Sequence, residues 1–498
     1  MEIEFKFCIP PERLKAVEAA VRRGTVRRTR LQARYFDTAE GALAAAGMVL
    51  RLRKEGRRWV QTVKAAGDGP LQRWEHNVDL GMPGGGLQPV ADAQRHAGTP
   101  VGERLAAVLQ RAGQPLAPTY ATDIWRLTRV LRSGGAQVEL ALDTGRITAQ
   151  AADGAPRVAP VCELELELLQ GNVQGLVALA RGWSQRHGLW FSTVSKAERG
   201  QRLLLGQDAV PAVKADPMRP PLAGLPGRAL QQAVVANALA QILPNASEVA
   251  AGSTDDEQVH QLRIGLRRLR TALRELDALA PGFDPAWEAP LVDLFRALGA
   301  QRDRALVLAG AQAALAEAGA PPIDLGPGAA APDLGAAVRA PAFQGVLVDL
   351  IGHGAAPMDE ASAGLDAQAA RRHLQGRLRQ LHRQLLRDGE RFDALDGEAQ
   401  HRVRKRLKRL RYLAEFVAPL FREKAAQRYL AQLRPAQDAL GRYNDDAVAL
   451  ALYRERVADD PRAWFAVGWF AARHGEAEQA AQRALRHLRE APRFWKKR

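Results

Sequence analysis

Two spacings of apolar residues divide the chain. Up to about residue 205 apolar and polar positions alternate with period two. Glu2-Ile3-Glu4-Phe5-Lys6-Phe7 and Glu163-Leu164-Glu165-Leu166-Glu167-Leu168 alternate without a break. Met48–Arg53, Arg58–Lys64, Gln137–Asp143 and Arg146–Ala149 read as further strands, bounded by Gly, Asp and Pro. Helical stretches are expected near Pro11–Arg23 and Val173–His187. Five prolines between Gly206 and Gly227 mark a linker. Beyond it the period becomes 3.6, and Leu230–Leu243, Glu257–Leu279, Trp287–Leu306, Asp366–Arg387, Gly397–Val417 and Ala425–Tyr453 read as helices. The Ala/Gly/Pro-rich stretch Ala309–Pro341 reads as a long connection. The class is α+β: a mainly β unit over 1–205, a linker over 206–227 and an all-α unit over 228–498.

The helical half repeats itself. Val259-His260-Gln261-Leu262-Arg263, continuing to Arg267-Arg268-Leu269-Arg270, returns as His401-Arg402-Val403-Arg404, continuing to Lys408-Arg409-Leu410-Arg411, 141 residues later. Leu298-Gly299 with Asp303 is answered by Leu440-Gly441 with Asp445 at nearly the same separation. Two matched motifs at one offset point to a duplicated helical bundle with approximate two-fold symmetry.

Composition narrows the function classes. The chain has 498 residues and a formal net charge of +16, shared as +9 over residues 1–205 and +7 over the rest. Two cysteines exclude a disulfide framework and a Cys-rich zinc module. The opening residues lack the basic start and apolar core of a signal peptide, and no apolar run is long enough to span a bilayer. A cytoplasmic protein with an anionic partner and no membrane association is expected.

Period-two geometry puts Glu2, Glu4 and Lys6 on one strand face. It likewise groups Glu163, Glu165 and Glu167, and separately Arg51 with Arg53, Thr62 with Lys64, Arg73 with Glu75, and Glu139 with Asp143. One such strand is ordinarily a solvated face, but acidic and basic strands recur together here. Closed into a barrel, they would line a lumen with carboxylates and with Arg and Lys. Carboxylate oxygens suit Mg²⁺ or Mn²⁺, and guanidinium forks suit phosphate.

These residues resemble the CYTH family of triphosphate tunnel metalloenzymes. The likeness begins at the ExExK-like Glu2-Ile3-Glu4-Phe5-Lys6 and continues through Tyr35-Phe36-Asp37-Thr38, Arg51-Leu52-Arg53, Trp59–Lys64, Arg73-Trp74-Glu75, Leu142–Gly145, Cys162–Glu167 and Ser195–Gly200. The resemblance implies an eight-stranded antiparallel β tunnel with flanking helices that hydrolyses or transfers triphosphate groups with a divalent metal. It implies Glu2, Glu4, Glu163 and Glu165 as metal ligands, with Glu2, Glu4 and Lys6 central to catalysis. Lys6, Arg51, Arg53, Lys64, Arg126 and Lys196 would grip the phosphates, with Arg129 and Arg132 as competitors for the role of Arg126. Glu75, Asp143 and Glu167 would be supporting carboxylates, as ligands, orienters of cations or positioners of water.

On the helical wheel His260, Arg263, Arg267 and Arg270 share one stripe beside an apolar stripe of Leu262, Leu266, Leu269 and Leu273. His401, Arg404, Lys408 and Arg411 repeat it. No aromatic residue is interleaved with these positions, so a phosphate polymer fits better than a specific nucleic acid. The motifs resemble the CHAD domain over about 225–498, which implies a helical bundle that binds long-chain polyphosphate. The whole reads as an inorganic triphosphatase with a polyphosphate-binding partner domain, cytoplasmic and associated with polyphosphate granules. The rival readings are a non-catalytic polyphosphate scaffold, and a tunnel enzyme acting on nucleoside or thiamine triphosphate or cyclising ATP.

Overall fold

The computed structural model describes residues 2–67, 72–82, 88–151, 153–208, 210–219, 222–300, 302–323, 332–357 and 362–495, with the side chains of residues 2, 72, 73, 300 and 302–306 outside the description. Nine strands form one antiparallel sheet: β1 Glu2–Cys8, β2 Arg27–Asp37, β3 Met48–Glu55, β4 Arg58–Ala66, β5 Gln72–Gly81, β6 Ala117–Ser133, β7 Ala136–Gln150, β8 Pro156–Gln170 and β9 Trp190–Phe191. Their order is β5-β4-β3-β2-β6-β7-β8-β1-β9, and β5 also pairs with β1 at Glu2↔Arg73 and Ile3↔Gln72. The eight long strands thus curl round until their ends meet over two residue pairs. The ninth strand, unforeseen in the alternation because it holds only two residues, adds to β1 through Phe7↔Phe191.

The two segments expected as Gln137–Asp143 and Arg146–Ala149 are one strand, β7, which runs through Gly145. A Cβ at Gly145 would meet the Asp123 carbonyl oxygen at 2.1 Å, so the glycine lets the two backbones approach. Helices α1 Leu14–Val21, α2 Ala42–Ala45, α3 Pro100–Ala112, α4 Val173–His187 and α5 Lys196–Leu205 accompany the sheet. On the outer face of β3 and β4, Leu43, Met48, Leu50, Val63, Val101 and Leu105 form one buried cluster. The other face of the same strands carries Arg51, Arg53 and Lys64.

The helical half comprises α6 Gly227–Ala250, α7 Asp256–Leu276, α8 Glu288–Ala300, α9 Arg302–Glu317, α10 Leu334–Arg339, α11 Pro341–Ala355, α12 Ala367–Glu390, α13 Gly397–Val417, α14 Glu423–Arg456 and α15 Ala463–His487. The first basic motif lies in α7 and the second in α13. Leu262, Leu266 and Leu269 are fully buried, as are Leu407, Leu410 and Leu413 to within 1%. The expected long connection is helical as far as Glu317, since a run of alanines favours helix without giving an amphipathic signal.

The chain divides into two compact units: Met1–Val213 with Ile242–Val259 and Val338–Ala356, and Lys214–Gln241 with His260–Ala337 and Pro357–Arg498. The first unit therefore includes two pieces of the helical sequence. The Gln344 side-chain oxygen accepts from the Phe191 amide at 2.8 Å, and Ser247 Oγ accepts from the Thr193 amide at 3.0 Å. Arg202 bonds Glu248 through both terminal nitrogens, at 3.1 and 2.7 Å. The proline-rich segment is not a loose tether. Val213 exchanges hydrogen bonds with Asn245, Val210 accepts from Gln258, and Leu222 is buried in the bundle core.

Candidate functional site

Strand register stacks the charged residues in rungs. Glu4 pairs with Glu167 and Glu167 with Glu139; Lys6 pairs with Glu165; Cys8 pairs with Glu163, Glu163 with Asp143, and Asp143 with Arg126. On the far strands Arg51 pairs with Thr62, and Lys64 with Glu75. Residues in one rung share a face, so the alternation read from sequence aims both signs of charge inward. The cavity measures about 760 Å³, and its walls include Glu4, Lys6, Arg51, Arg53, Lys64 and Arg126, with Glu75, Asp143, Glu165, Glu167 and Lys196. The Glu2 side chain lies outside the described residues.

Asp143 and Glu165 of this wall belong to a carboxylate cluster completed by Glu163, which does not itself line the cavity. One oxygen from each of Asp143, Glu163 and Glu165 lies within 4.8 Å of the others. Asp143 is 0% and Glu163 2% exposed, and such burial is costly unless the charges are paired. Ser195 caps α5 by accepting from the Glu198 amide at 3.1 Å, and the first residue of that helix, Lys196, inserts its ammonium among the three acids. Lys196 Nζ lies 2.8 Å from Asp143 Oδ2, 2.8 Å from Glu165 Oε1, and also bonds Glu163. Arg126 donates twice to Asp143, each bond at 2.6 Å, and once to Glu165 at 2.5 Å.

The acids consequently titrate differently. Burial holds Glu163 above the usual carboxylate range, only partly opposed by Lys196. At Glu165 burial acts in the same direction, but Lys196 and Arg126 overcome it and hold the group well below that range. Glu167 is raised by burial and by Glu4 across the rung. This donor set fits a hard divalent cation, because it offers three carboxylate oxygens within 4.8 Å of one another. Cys8, beside Glu163, is kept a thiol by burial and by that carboxylate.

The cations are not equally engaged. Lys64 pairs with Glu75, and Arg53 donates to Glu55 at 2.6 Å. Burial together with Arg51 lowers Arg53 to about 10. Lys6 donates to the Val194 carbonyl at 2.5 Å. Arg51 lines the cavity with a buried Nε that has no hydrogen-bond partner. Of the competitors for the role of Arg126, Arg129 bonds the Ala20 carbonyl at 3.2 Å, and neither it nor Arg132 lines the cavity. Sequence reading gave no site role to Arg27, Tyr35, Glu55, Arg58 and Asp79, which also line it. Arg27 stands in a basic run without alternation, so its inward phase has no signal before the strand is known.

In α7, Arg263, Arg267 and Arg270 converge on one ring, Phe295 of α8, with guanidinium carbons 5.1, 5.0 and 6.0 Å from its centroid. Gly299 permits this, since a Cβ there would stand 2.8 Å from Arg263 Nη2. Arg270 also donates to Glu288 at 2.6 Å. In α13, His401 is lowered by burial and by the nearby Lys405, Arg404 and Lys408. Arg411 donates to Glu415 at 2.6 Å and to Gln437 at 2.7 Å. The second member of each basic pair serves packing: Arg268 bonds Asn237 and Gln241 over the Phe416 ring, and Arg409 lies 3.6 Å from the buried Glu275. The side chain of Asp303 lies outside the described residues, and Asp445 is exposed.

Residues 1–201 match the family model of the CYTH domain, and residues 233–454 that of the CHAD domain. An inorganic triphosphatase of Haemophilus influenzae is 29% identical over 175 residues, 34% of this chain and 44% of that protein. The match thus spans less than half the length of that relative. Among solved structures, the CHAD domain from Ricinus communis is 28% identical and covers 57% of this chain and 99% of its own, with a TM-score of 0.44. A Hippeastrum protein described as a putative adenylyl cyclase with a dominant triphosphatase activity is 19% identical, covering 42% and 100%, with a TM-score of 0.32.

Proposed function

The chain joins a CYTH domain, residues 1–201, to a CHAD domain, residues 233–454, and from that premise we propose that it is a metal-dependent inorganic triphosphatase whose helical half binds long-chain polyphosphate. The observation that carries the reading is the cavity that sets clustered carboxylates against Arg51, Arg53 and Lys64. An Mg²⁺ or Mn²⁺ ion held by Glu2, Glu4, Glu163 and Glu165 would supply positive charge at the phosphates and an activated water. Arg51, Arg53, Lys64 and Lys6 bind the phosphate chain and fix the terminal group for in-line attack. Arg126 and Lys196, tied to carboxylates, keep Glu165 ionised and hold Asp143 and Glu163 in place by hydrogen bonds and ion pairs. Glu167, with its raised affinity for a proton, accepts one from the attacking water. Water and triphosphate become phosphate and pyrophosphate, and the guanidinium groups offset the charge that collects on the departing bridging oxygen.

The CHAD stripe His260, Arg263, Arg267, Arg270 and its copy His401, Arg404, Lys408, Arg411 bind polyphosphate through charge, and would localise the enzyme at cytoplasmic polyphosphate granules. The discriminating experiment measures phosphate release from triphosphate, ATP, thiamine triphosphate and long polyphosphate, with Mg²⁺, with Mn²⁺ and with EDTA. Triphosphate should be turned over fastest, only with metal, and not by Glu4→Gln. Release from none of the four would eliminate the enzyme reading in favour of a scaffold. Faster release from ATP or thiamine triphosphate would change the substrate alone.

A further inference from the structure

The outer face of the CYTH sheet carries a second cluster of cations that the triphosphatase reading does not use. Register aligns Trp59, Lys54, Gln32, Asp123 and Arg146 as one rung across five strands, β4-β3-β2-β6-β7. The neighbouring rungs on the same face add Arg34 beside Ala121, and Arg30 beside Trp125. These positions are out of phase with Arg51, Arg53 and Arg126, so they point away from the lumen. Helix α3 and its cluster cover the Met48–Leu50 end of β3, but among the described residues the other end is open: Arg28, Arg30, Arg34, Arg57 and Arg146 are exposed, and so is Trp125 at 41%. A hollow of about 500 Å³ lies here, bounded by Arg34, Lys54, Arg57, Trp59 and Arg146. Its single carboxylate, Asp123, is neutralised by Arg30 in a two-pronged bond at 2.9 and 2.7 Å. Arg28 lies over the Trp125 ring, 4.1 Å from its centroid.

Cations alone would serve any polyanion. The two indoles distinguish this face, because inorganic polyphosphate gains nothing from an aromatic plane, whereas an unpaired base stacks on an indole or on a guanidinium plane. An antiparallel sheet face with exposed aromatic and basic side chains in adjacent rungs is a platform for a single strand of a few nucleotides. The strand spacing makes the Trp59–Arg146 rung about 19 Å long, the reach of three or four nucleotides. We propose that this outer face binds single-stranded nucleic acid without sequence preference, with Arg34, Lys54, Arg57 and Arg146 on the phosphates and Trp59 and Trp125 against the bases. None of these cations or indoles lines the cavity, and the proposal does not depend on what the cavity hydrolyses.

The test uses the full chain and a fluorescein-labelled U12 RNA, followed by anisotropy from low to moderate salt. The triple reversal Arg34→Glu, Lys54→Glu, Arg146→Glu should weaken U12 binding at least about tenfold and flatten its salt dependence by roughly two units of slope. Trp59→Ala should weaken U12 several-fold while leaving the affinity for long polyphosphate within about twofold. Replacing Arg263, Arg267, Arg404 and Lys408 in the bundle should leave the outer-face share of U12 binding intact. Unchanged phosphate release in the sheet variants reports that the tunnel still folds. Undetectable U12 binding at low salt, or U12 binding that the triple reversal leaves undiminished, overturns the proposal. A Trp59→Ala effect equal on U12 and polyphosphate also overturns it, and makes the face a general polyanion surface.

Discussion

Lys196 in the tunnel, its side chain 13% exposed, is ion-paired with three carboxylates, whereas Arg267 in the bundle lies over the ring of Phe295. Both are cations, and the two halves of the sequence share the chain's basic excess almost equally. In the tunnel opposite charges are packed at hydrogen-bond distance out of water, so each group is held in place by the others. In the bundle the cations lean on an aromatic plane and on a few surface acids. Equal net charge therefore conceals a site built for a small, exact complex of metal and phosphate, and a face suited to a mobile polymer. The first should be brittle to substitution and the second tolerant.

The harshest way to break the comparison is to remove one cation from each. Lys196→Met leaves three clustered carboxylates, two of them buried, facing one another and should cost about 3–5 kcal/mol, measured by urea unfolding at pH 8 in EDTA. Millimolar Mg²⁺ should recover part of the loss if those oxygens accept a hard cation. Arg267→Met loses an exposed cation–π contact and should cost under about 1 kcal/mol. Equal costs would mean that burial does not divide the two regions.

A second change separates grip from structure within the tunnel. Arg51, unlike Arg126, has a buried Nε without a protein partner. Arg51→Met should lower kcat for triphosphate about 10²-fold with little change in thermal stability. A large fall in stability with unchanged kcat would place it among the structural cations.

Both outcomes bear on what could be read before the fold was known. The inward set was legible where a strand alternates strictly, as at Glu2–Phe7 and Glu163–Leu168, because the period alone fixes the face. It was not legible in β2, where Arg27, Arg28 and Arg30 crowd together and only pairing separates the inward Arg27 from the outward Arg28 and Arg30. The carboxylate cluster also depends on register, since Asp143 and Glu163 are neighbours through a rung and not through spacing. Lys196 looked like a phosphate ligand from its motif, and its position at the start of α5 makes it a partner of the acids. In the bundle the duplicated stripe was plain, but Phe295, which gathers three of its arginines, belongs to another helix and carries no periodic signal. The two helical pieces that join the first compact unit were hidden for the same reason: Gln344 and Ser247 act on backbone amides of Phe191 and Thr193 far away in sequence.

A smaller effect tests the electrostatics of the lumen by pH. Burial and Glu4 raise Glu167, so the folded protein binds that proton more tightly than the unfolded chain. Its contribution to stability is complete below the ordinary carboxylate range and is lost as pH rises through the raised value. Glu167→Gln cannot lose a proton, so it should melt about 2 °C above the parent at pH 8, with the gain vanishing near pH 4. A gain constant with pH would assign the effect to packing.

The smallest expected effect lies in the bundle and has the opposite functional sign. Glu288, in the first turn of α8 and 44% exposed, accepts from Arg270 at 2.6 Å, and Arg270 is itself 29% exposed. A pair so open to water contributes under about 1 kcal/mol, and while it forms, Glu288 competes with any phosphate for the same guanidinium. Glu288→Gln should therefore leave stability within about 0.5 kcal/mol and tighten long-polyphosphate binding about twofold at low salt, a gain that fades as salt screens the pair. In the tunnel, deleting an acid such as Glu165 removes a partner of both Lys196 and Arg126 and should abolish activity. An acid that restrains binding in one half and sustains the site in the other follows from the difference in burial, with no difference in charge.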